Sequence, residues 1–304
     1  MTTPVSSPTT DTTARPLTMA ARPPVPTSIR LRRRLSAVVR YGLLLIVAAV
    51  IIVPVGYAVI GGFKDPAQLA NDPIGLPNPW VTSNYTDTLT SPSFWRQLVN
   101  STLIAGLSTV LVVLFAAFAA FVFARRAFPG REVLYTLFTL GLLFPAAVAI
   151  LPLFILVRDL GLLDNPLGIA LPEAAFGLPL TIVILRPFFR SIPTELEDAA
   201  YIDGCGSFGF FWRILLPLSR PVLATVGVLA IVASWNQFLL PLVMLSSESN
   251  WTLPLGVTNF STQYTTDTAR ILAYTTLALV PAIVFYLFAE RQLVGGLTQG
   301  SVEG

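Results

Sequence analysis

The sequence predicts an all-α membrane protein of six transmembrane helices, with a cytoplasmic helix-turn-helix inserted between the fourth and the fifth. Three observations carry this. The 304 residues are 54% hydrophobic and only 12% charged, with a mean hydropathy of +0.72. Six apolar runs, near 41–63, 99–123, 134–157, 167–185, 221–244 and 271–289, approach or exceed the roughly 20 residues a helix needs to cross about 30 Å of hydrocarbon. Fifteen of the nineteen basic residues fall on alternate connections, and only Lys64, Arg96, Arg158 and Arg270 fall on the others. The positive-inside rule then puts both termini and the segment 190–220 in the cytoplasm.

Residues 1–36 read as a basic, disordered cytoplasmic arm. Its first 29 positions hold six Pro and eight Thr with little to bury. Arg30, Arg32, Arg33, Arg34 and Arg40 before the first span read as a topology determinant, with membrane lipid bearing anionic headgroups as the alternative ligand. The long polar lead and full-length apolar run argue against a cleaved signal peptide. Residues 37–98 hold the first span and the longest external loop, whose Trp80, Tyr85, Phe94 and Trp95 suit a membrane-interface belt or a partner surface. Residues 99–290 form the core, and 291–304 a cytoplasmic tail.

Composition excludes several chemistries. There is no histidine and one cysteine, so a Ser-His triad, a His-Cys pair, an internal disulfide and a histidine-containing metal site are all absent. The single lysine, Lys64, lies in no G-x-x-x-x-G-K-[ST] loop, so ATP hydrolysis is not encoded here. A net charge of +3 is too small to point to nucleic acid.

Reading the six spans as free of Asp, Glu, Lys and Arg disfavours a proton-driven carrier, which needs a titrating group in its interior. Uncharged polar residues are expected in the later spans: Thr181 in the fourth, and Ser234, Trp235, Asn236 and Gln237 in the fifth. They suit either interhelical hydrogen bonding or a lining for a hydroxylated substrate. Pro145, Pro152, Pro172, Pro179 and Pro241 are candidate kinks.

The polar segment has its own grammar. Thr194 and Glu197 have capping-box spacing, and Glu195, Glu197 and Asp198 suit a first helical turn. Asp203-Gly204 is a turn signal. A second short helix should follow, with Phe208, Phe211, Trp212 and Leu215 on one stripe and Pro217 at its end.

Asp198-Ala199-Ala200, then Asp203-Gly204, then nine residues, then Ile214-x-Leu216-Pro217 resembles the EAA loop of the permease subunits of bacterial ABC importers. Trp235-Asn236-Gln237-Phe238 and the tail from Gly296 to Gly304 extend the likeness to the second permease of maltose-type carbohydrate importers, over roughly Asn100 to the C-terminus. Asp198 stands where the family usually has Glu, and Cys205 where it has Ala. The resemblance implies a multi-pass subunit of the bacterial plasma membrane that performs no bond chemistry. It implies ATPase coupling through Glu197, Asp198, Ala199, Ala200, Asp203, Gly204, Phe208, Phe211, Ile214 and Pro217, and through the tail residues Leu297, Thr298, Gly300 and Gly304. The implied partners are a dimer of ATP-binding subunits, a homologous second permease and an extracytoplasmic solute-binding protein. ATP would be used by the partner ATPase, with no cofactor or metal on this chain. A non-sugar cargo stays open as an alternative, and a secondary carrier or channel is opposed by the loop.

Overall fold

Hydrocarbon offers no partner to a bare backbone amide, so a chain that enters it must satisfy its own groups. A computed structural model describes residues 27–262 and 265–298, with side chains over 38–262 and 265–288. Among the described residues there is no β-strand, only an isolated bridge between Ser261 and Thr266.

The chain divides at Pro54 into two units. The first holds most of α1 (Thr27–Gly61), which starts inside the stretch expected to be disordered. In the second, α2 (Pro66–Asn71) and α3 (Ser83–Thr90) fill the expected external loop. Lys64 is 1% exposed, and its ammonium donates to the carbonyls of Asp72 at 2.6 Å and Pro73 at 3.2 Å. The Asn84 amide ties α3 to Gly62 and Lys64. This loop is held by backbone carbonyls.

The centre is α4 (Pro92–Arg125), a 34-residue helix of about 50 Å that exceeds the hydrocarbon thickness. It packs against α7 (Pro166–Ser191). Ala116, Ala117 and Ala120 of α4 share a buried cluster with Ile182, Leu185 and Phe189 of α7. Small residues let the two backbones approach: a Cβ at Gly177 would lie 2.8 Å from Val112. Pro172, Pro179 and Pro187 lie within α7 without ending it.

Between them, α5 (Arg131–Leu140) and α6 (Ile150–Asp159) are linked by short 3-10 turns. After α7 come α8 (Glu195–Ile202), α9 (Ser207–Phe210), a π-helical turn at Phe211–Leu215, α10 (Leu216–Leu218), α11 (Arg220–Trp235), α12 (Leu239–Met244), α13 (Leu253–Gly256) and α14 (Thr268–Thr298). Among the described residues, four helices are long and apolar enough to cross a membrane: Val38–Gly61, Pro92–Arg125, Pro166–Ser191 and Thr268–Phe288. The number reaches six if each of two bent pairs is one crossing, Arg131–Leu143 with Ala146–Asp159 at 92° and Ser207–Leu218 with Arg220–Trp235 at 79°.

Two of the expected spans are therefore not single continuous helices. The run 134–157 bends at Phe144-Pro145, where proline lacks a donor and forces Phe144 out of the helical region. The run 221–244 breaks over Asn236–Phe238. α14 runs on through Gly295 and Gly296 to Thr298; two glycines cost a helix about 2 kcal/mol in propensity, too little to end it. Gly300 and Gly304 lie outside the described residues.

The connection between α6 and α7 is organised by Asp164, at φ +57°. Its carboxylate accepts from the amides of Ser246 at 3.2 Å and Ser247 at 3.0 Å and from the Ser247 hydroxyl. Burial works against its charge, but hydrogen bonds from Ser247, Asn250 and Ser246 prevail and hold its pKa below the ordinary value. A carboxyl depressed in the folded state adds stability above its unfolded pKa and loses it as pH falls through the folded one. Asp164→Gly keeps the left-handed backbone and removes the acceptor. Protection of the Ser246 and Ser247 amides against hydrogen exchange should then fall several-fold at neutral pH, and in acid the unmodified protein's protection should approach the variant's at the same pH; equal protection at neutral pH would refute the role.

Candidate functional site: a helical hairpin anchored on the end of α4

The polar segment folds as a hairpin of α8 against α9, and its turn follows from one glycine. Gly204 has φ +78°. The amide of Cys205 donates to Ala200 O at 2.8 Å, and that of Gly204 to Tyr201 O at 3.0 Å, which together close a Schellman motif. A Cβ at Gly204 would meet nothing within 4 Å, so glycine is required by the backbone alone.

The capping box does not form. Thr194 is itself helical and makes no side-chain cap. Glu197 turns inward instead, because two arginines at the end of α4 compete for it. Its carboxylate lies 2.8 Å from Arg126 and 3.9 Å from Arg125, and accepts from the Tyr201 hydroxyl at 2.9 Å. Arg126 also donates to Tyr201 at 2.8 Å, and Arg125 to the carbonyl of Ile192. One buried carboxylate thus ties α8 to α4.

The expected aromatic stripe divides in two. Phe211 and Leu215 are buried, and so is Phe210, whereas Phe208 is 67% exposed and Trp212 42%. The cause is Pro217, which has no N–H to return to the Arg213 carbonyl. The ladder widens just before it, with the Leu216 amide bonding Phe211 O in a π-turn that brings Phe210, Phe211 and Leu215 inward. Pro217 therefore does not end the helix, which continues to Leu218. Phe211 stacks on Phe118 of α4 at 4.6 Å and tilts against Phe121 at 5.2 Å.

What remains outside is a mixed surface. Asp198, Ala199, Asp203 and Gly204 are exposed, Ala200 is buried and Ile214 half-buried. Ile202, which sequence reasoning did not single out, is 86% exposed at the tip. Arg126 and Tyr201 were missed as well; only the basic pair at the end of an apolar run could have signalled the first.

The five residues expected along a pathway do not converge. The Thr181 hydroxyl donates to Gly177 O of its own helix. Asn236 donates to Val232 O at 2.8 Å, and the Gln237 side chain accepts from the amides of Phe238 and Leu239, so both serve the break after α11. Trp235 and Asn236 line a cleft of about 350 Å³ with residues of α4 and α14. Ser234 donates to Glu173 of α7, and Ser108 of α4 stands as a second hydrogen-bond partner to the same buried carboxyl. Glu173 lies inside the fourth apolar run and corrects the reading of the spans as free of charge. That argument against a proton-driven carrier falls with it.

If Glu197 is the anchor, Glu197→Ala leaves buried Arg125 and half-buried Arg126 without their carboxylate, a loss on the order of 3 kcal/mol for breaking such a pair. Gly204→Ala should cost about 1 kcal/mol through its backbone alone, and Gly204→Asn less. In membranes, residues 195–218 should become protease-sensitive in the order Glu197→Ala, Gly204→Ala, Gly204→Asn. An unchanged Glu197→Ala variant would show the anchor to be misassigned.

Comparison with known proteins places this geometry in context. The binding-protein-dependent transport system inner membrane component family matches residues 112–292. The diacetylchitobiose uptake system permease protein of Streptomyces coelicolor is 33% identical over 267 residues, covering 87% of this chain and 88% of that protein. The trehalose transport system permease protein of Mycobacterium tuberculosis is 36% identical over 241 residues, covering 79% and 88%. A bacterial ABC transporter involved in the import of the polysaccharide alginate contains a chain of the same fold, with a TM-score of 0.73 at 24% identity, covering 89% of this chain and 99% of that one. The chain belongs to the family of binding-protein-dependent transport system inner membrane components, as a multi-pass transport subunit and not an enzyme.

Proposed function

We propose that this chain is a permease subunit of an ATP-driven ABC importer for a carbohydrate, and that the hairpin Glu195–Leu218 is where a partner ATPase acts on it. The observation that carries the proposal is the hairpin itself. It is fixed to α4 by Glu197 and Phe211, yet it leaves Ile202 86% and Phe208 67% exposed, with Asp198 and Asp203 exposed beside Ile202. An apolar patch rimmed by acids on a rigid arm suits a protein groove. The sugar assignment is supported by the cargo named for relatives: diacetylchitobiose, trehalose and arabinooligosaccharides.

In this reading the bent pairs are membrane crossings, giving six spans with both termini and the hairpin in the cytoplasm of a bacterial cell. ATP is hydrolysed by a dimer of ATP-binding subunits, a homologous second permease completes the pathway, and an extracytoplasmic solute-binding protein delivers cargo. Support for that last partner includes a solved alginate transporter in complex with a periplasmic protein bound to pentasaccharide. The tail from Leu297 onward reaches toward the ATPase, and Trp235 and Asn236 remain the pathway candidates because they line the cleft.

Ile202→Asp and Asp198→Lys should leave the chain inserted while ATPase co-purification and uptake fall about tenfold or more, as expected for loss of roughly 1.4 kcal/mol at a docking surface. Normal co-purification and uptake in both would remove the docking role. In a Cys205→Ser background, cysteines at Ser93 and Ser249 should react with an impermeant thiol reagent in intact cells, and one at Asp198 should not. Labelling at Asp198 would reverse the orientation.

A further inference from the structure

At the start of α4, the end opposite the hairpin, α3, α4, the segment after α13 and the first turns of α14 enclose a cavity of about 170 Å³. One wall is aromatic. Tyr274 stands edge-on to Phe94 and tilts against Phe260, with both pairs of ring centroids 5.5 Å apart.

The rest of the lining holds unused polar capacity. The Asp87 carboxylate is exposed and unpaired among the described residues. Arg270 uses its Nε on Asp267 at 3.4 Å and keeps its terminal nitrogens without a partner there. Gln97 is 1% exposed; its Oε1 accepts from the Tyr274 hydroxyl at 2.5 Å, and its Nε2 is buried with no partner. A buried amide donor left unmade costs about 1–3 kcal/mol, so something in this cavity should receive it. A second polar concavity, of about 340 Å³ beside Arg96 and Glu248, shares Ser93 with the first.

These features restrict the occupant. One acid and one base give the cavity no net sign, so a simple cation or anion is not selected. An apolar molecule would strand the amide and the carboxylate. Water, at about 30 Å³ a molecule, would satisfy the polar groups but leave the ring wall unused. A neutral polyhydroxylated ring meets everything: hydroxyls donate to the carboxylate and accept from guanidinium and amide, and C–H faces lie on the aromatic wall.

We infer that the cavity bounded by Asp87, Gln97 and Arg270 is a saccharide subsite that holds one sugar ring, with a following unit in the concavity beyond Ser93. This rests on the reading of the chain as a carbohydrate importer subunit. It puts part of the cargo selection on the external face of this chain, ahead of the spans.

The test uses the assembled transporter in lipid nanodiscs without its solute-binding protein. Trehalose, N-acetyl-D-glucosamine, L-serine and glycerol serve in turn as probes in saturation-transfer NMR. A sugar probe should receive saturation at its ring C–H protons. That signal should drop several-fold in Asp87→Ala and Arg270→Ala, whose exposed side chains are not needed for folding, and in Gln97→Leu if that variant folds. The exposed variants should insert and assemble into the transporter in the same yield as the unmodified chain. No transfer from either sugar, as for a water-filled cavity, transfer from L-serine in their place, or full signal in both exposed variants would each overturn the subsite. If the same transporter still takes up a sugar in vesicles, the carbohydrate reading survives that result; if it takes up only a non-sugar solute, the broader reading falls as well.

Discussion

The need to satisfy backbone groups where water is scarce governs this molecule from its longest helices to its breaks. Within α4 the ladder does this alone, and in α7 it is interrupted only at three prolines; in lipid helices gain little from hydrophobic association, so close approach and polar clasps must hold them. The alanine seam of α4 against α7 supplies the first. Glu173 with Ser234, and Glu132 with Arg186 at 2.5 Å, supply the second, each joining helices far apart in sequence. Where the ladder stops, side chains take over: the Asn236 side chain donates to the Val232 carbonyl of α11, and Gln237 supplies an acceptor to the amides of Phe238 and Leu239 at the start of α12. Asn236 and Gln237 thereby serve as backbone repairs as well as polar residues of the fifth apolar run.

This explains what was legible in the sequence. The four unbroken apolar runs and the Asp203-Gly204 turn are local signals, set by hydropathy and by the freedom of glycine, and both appear where expected. The failures arise from competition at a distance. Thr194 and Glu197 have the spacing of a capping box, but a carboxylate facing Arg125 and Arg126 gains more from two guanidiniums than from one backbone amide. Nothing within 194–217 reveals that partner, which is about seventy residues earlier. The widened turn before Pro217 is set by the proline's missing donor and shifts the register of Phe211 and Leu215 against Phe208 and Trp212.

Glu173 is a different kind of miss. A single carboxyl inside an apolar run hardly changes a hydropathy average, yet it is the kind of residue a membrane interior retains only with a partner or a use. Its partner, Ser234, had been counted among uncharged polar residues of another helix. The polar chemistry of this bundle is distributed one group per helix and assembled by packing, so no linear segment displays it.

The 79° bend at Ser219 gives the hairpin a mechanical consequence. The arm Ser207–Leu218 is about 18 Å long at 1.5 Å per residue and meets α11 almost at right angles. Were the two to move as one stiff bell-crank, lifting the arm's tip by about 2 Å would tilt α11 by roughly 6°, which over its 16 residues of about 24 Å swings the far end sideways by about 2.5 Å. The swing falls at the Asn236–Phe238 break, where Trp235 and Asn236 border the cleft. A vertical push at one surface would become a lateral stroke near the other, with the buried Ser219 at the fulcrum.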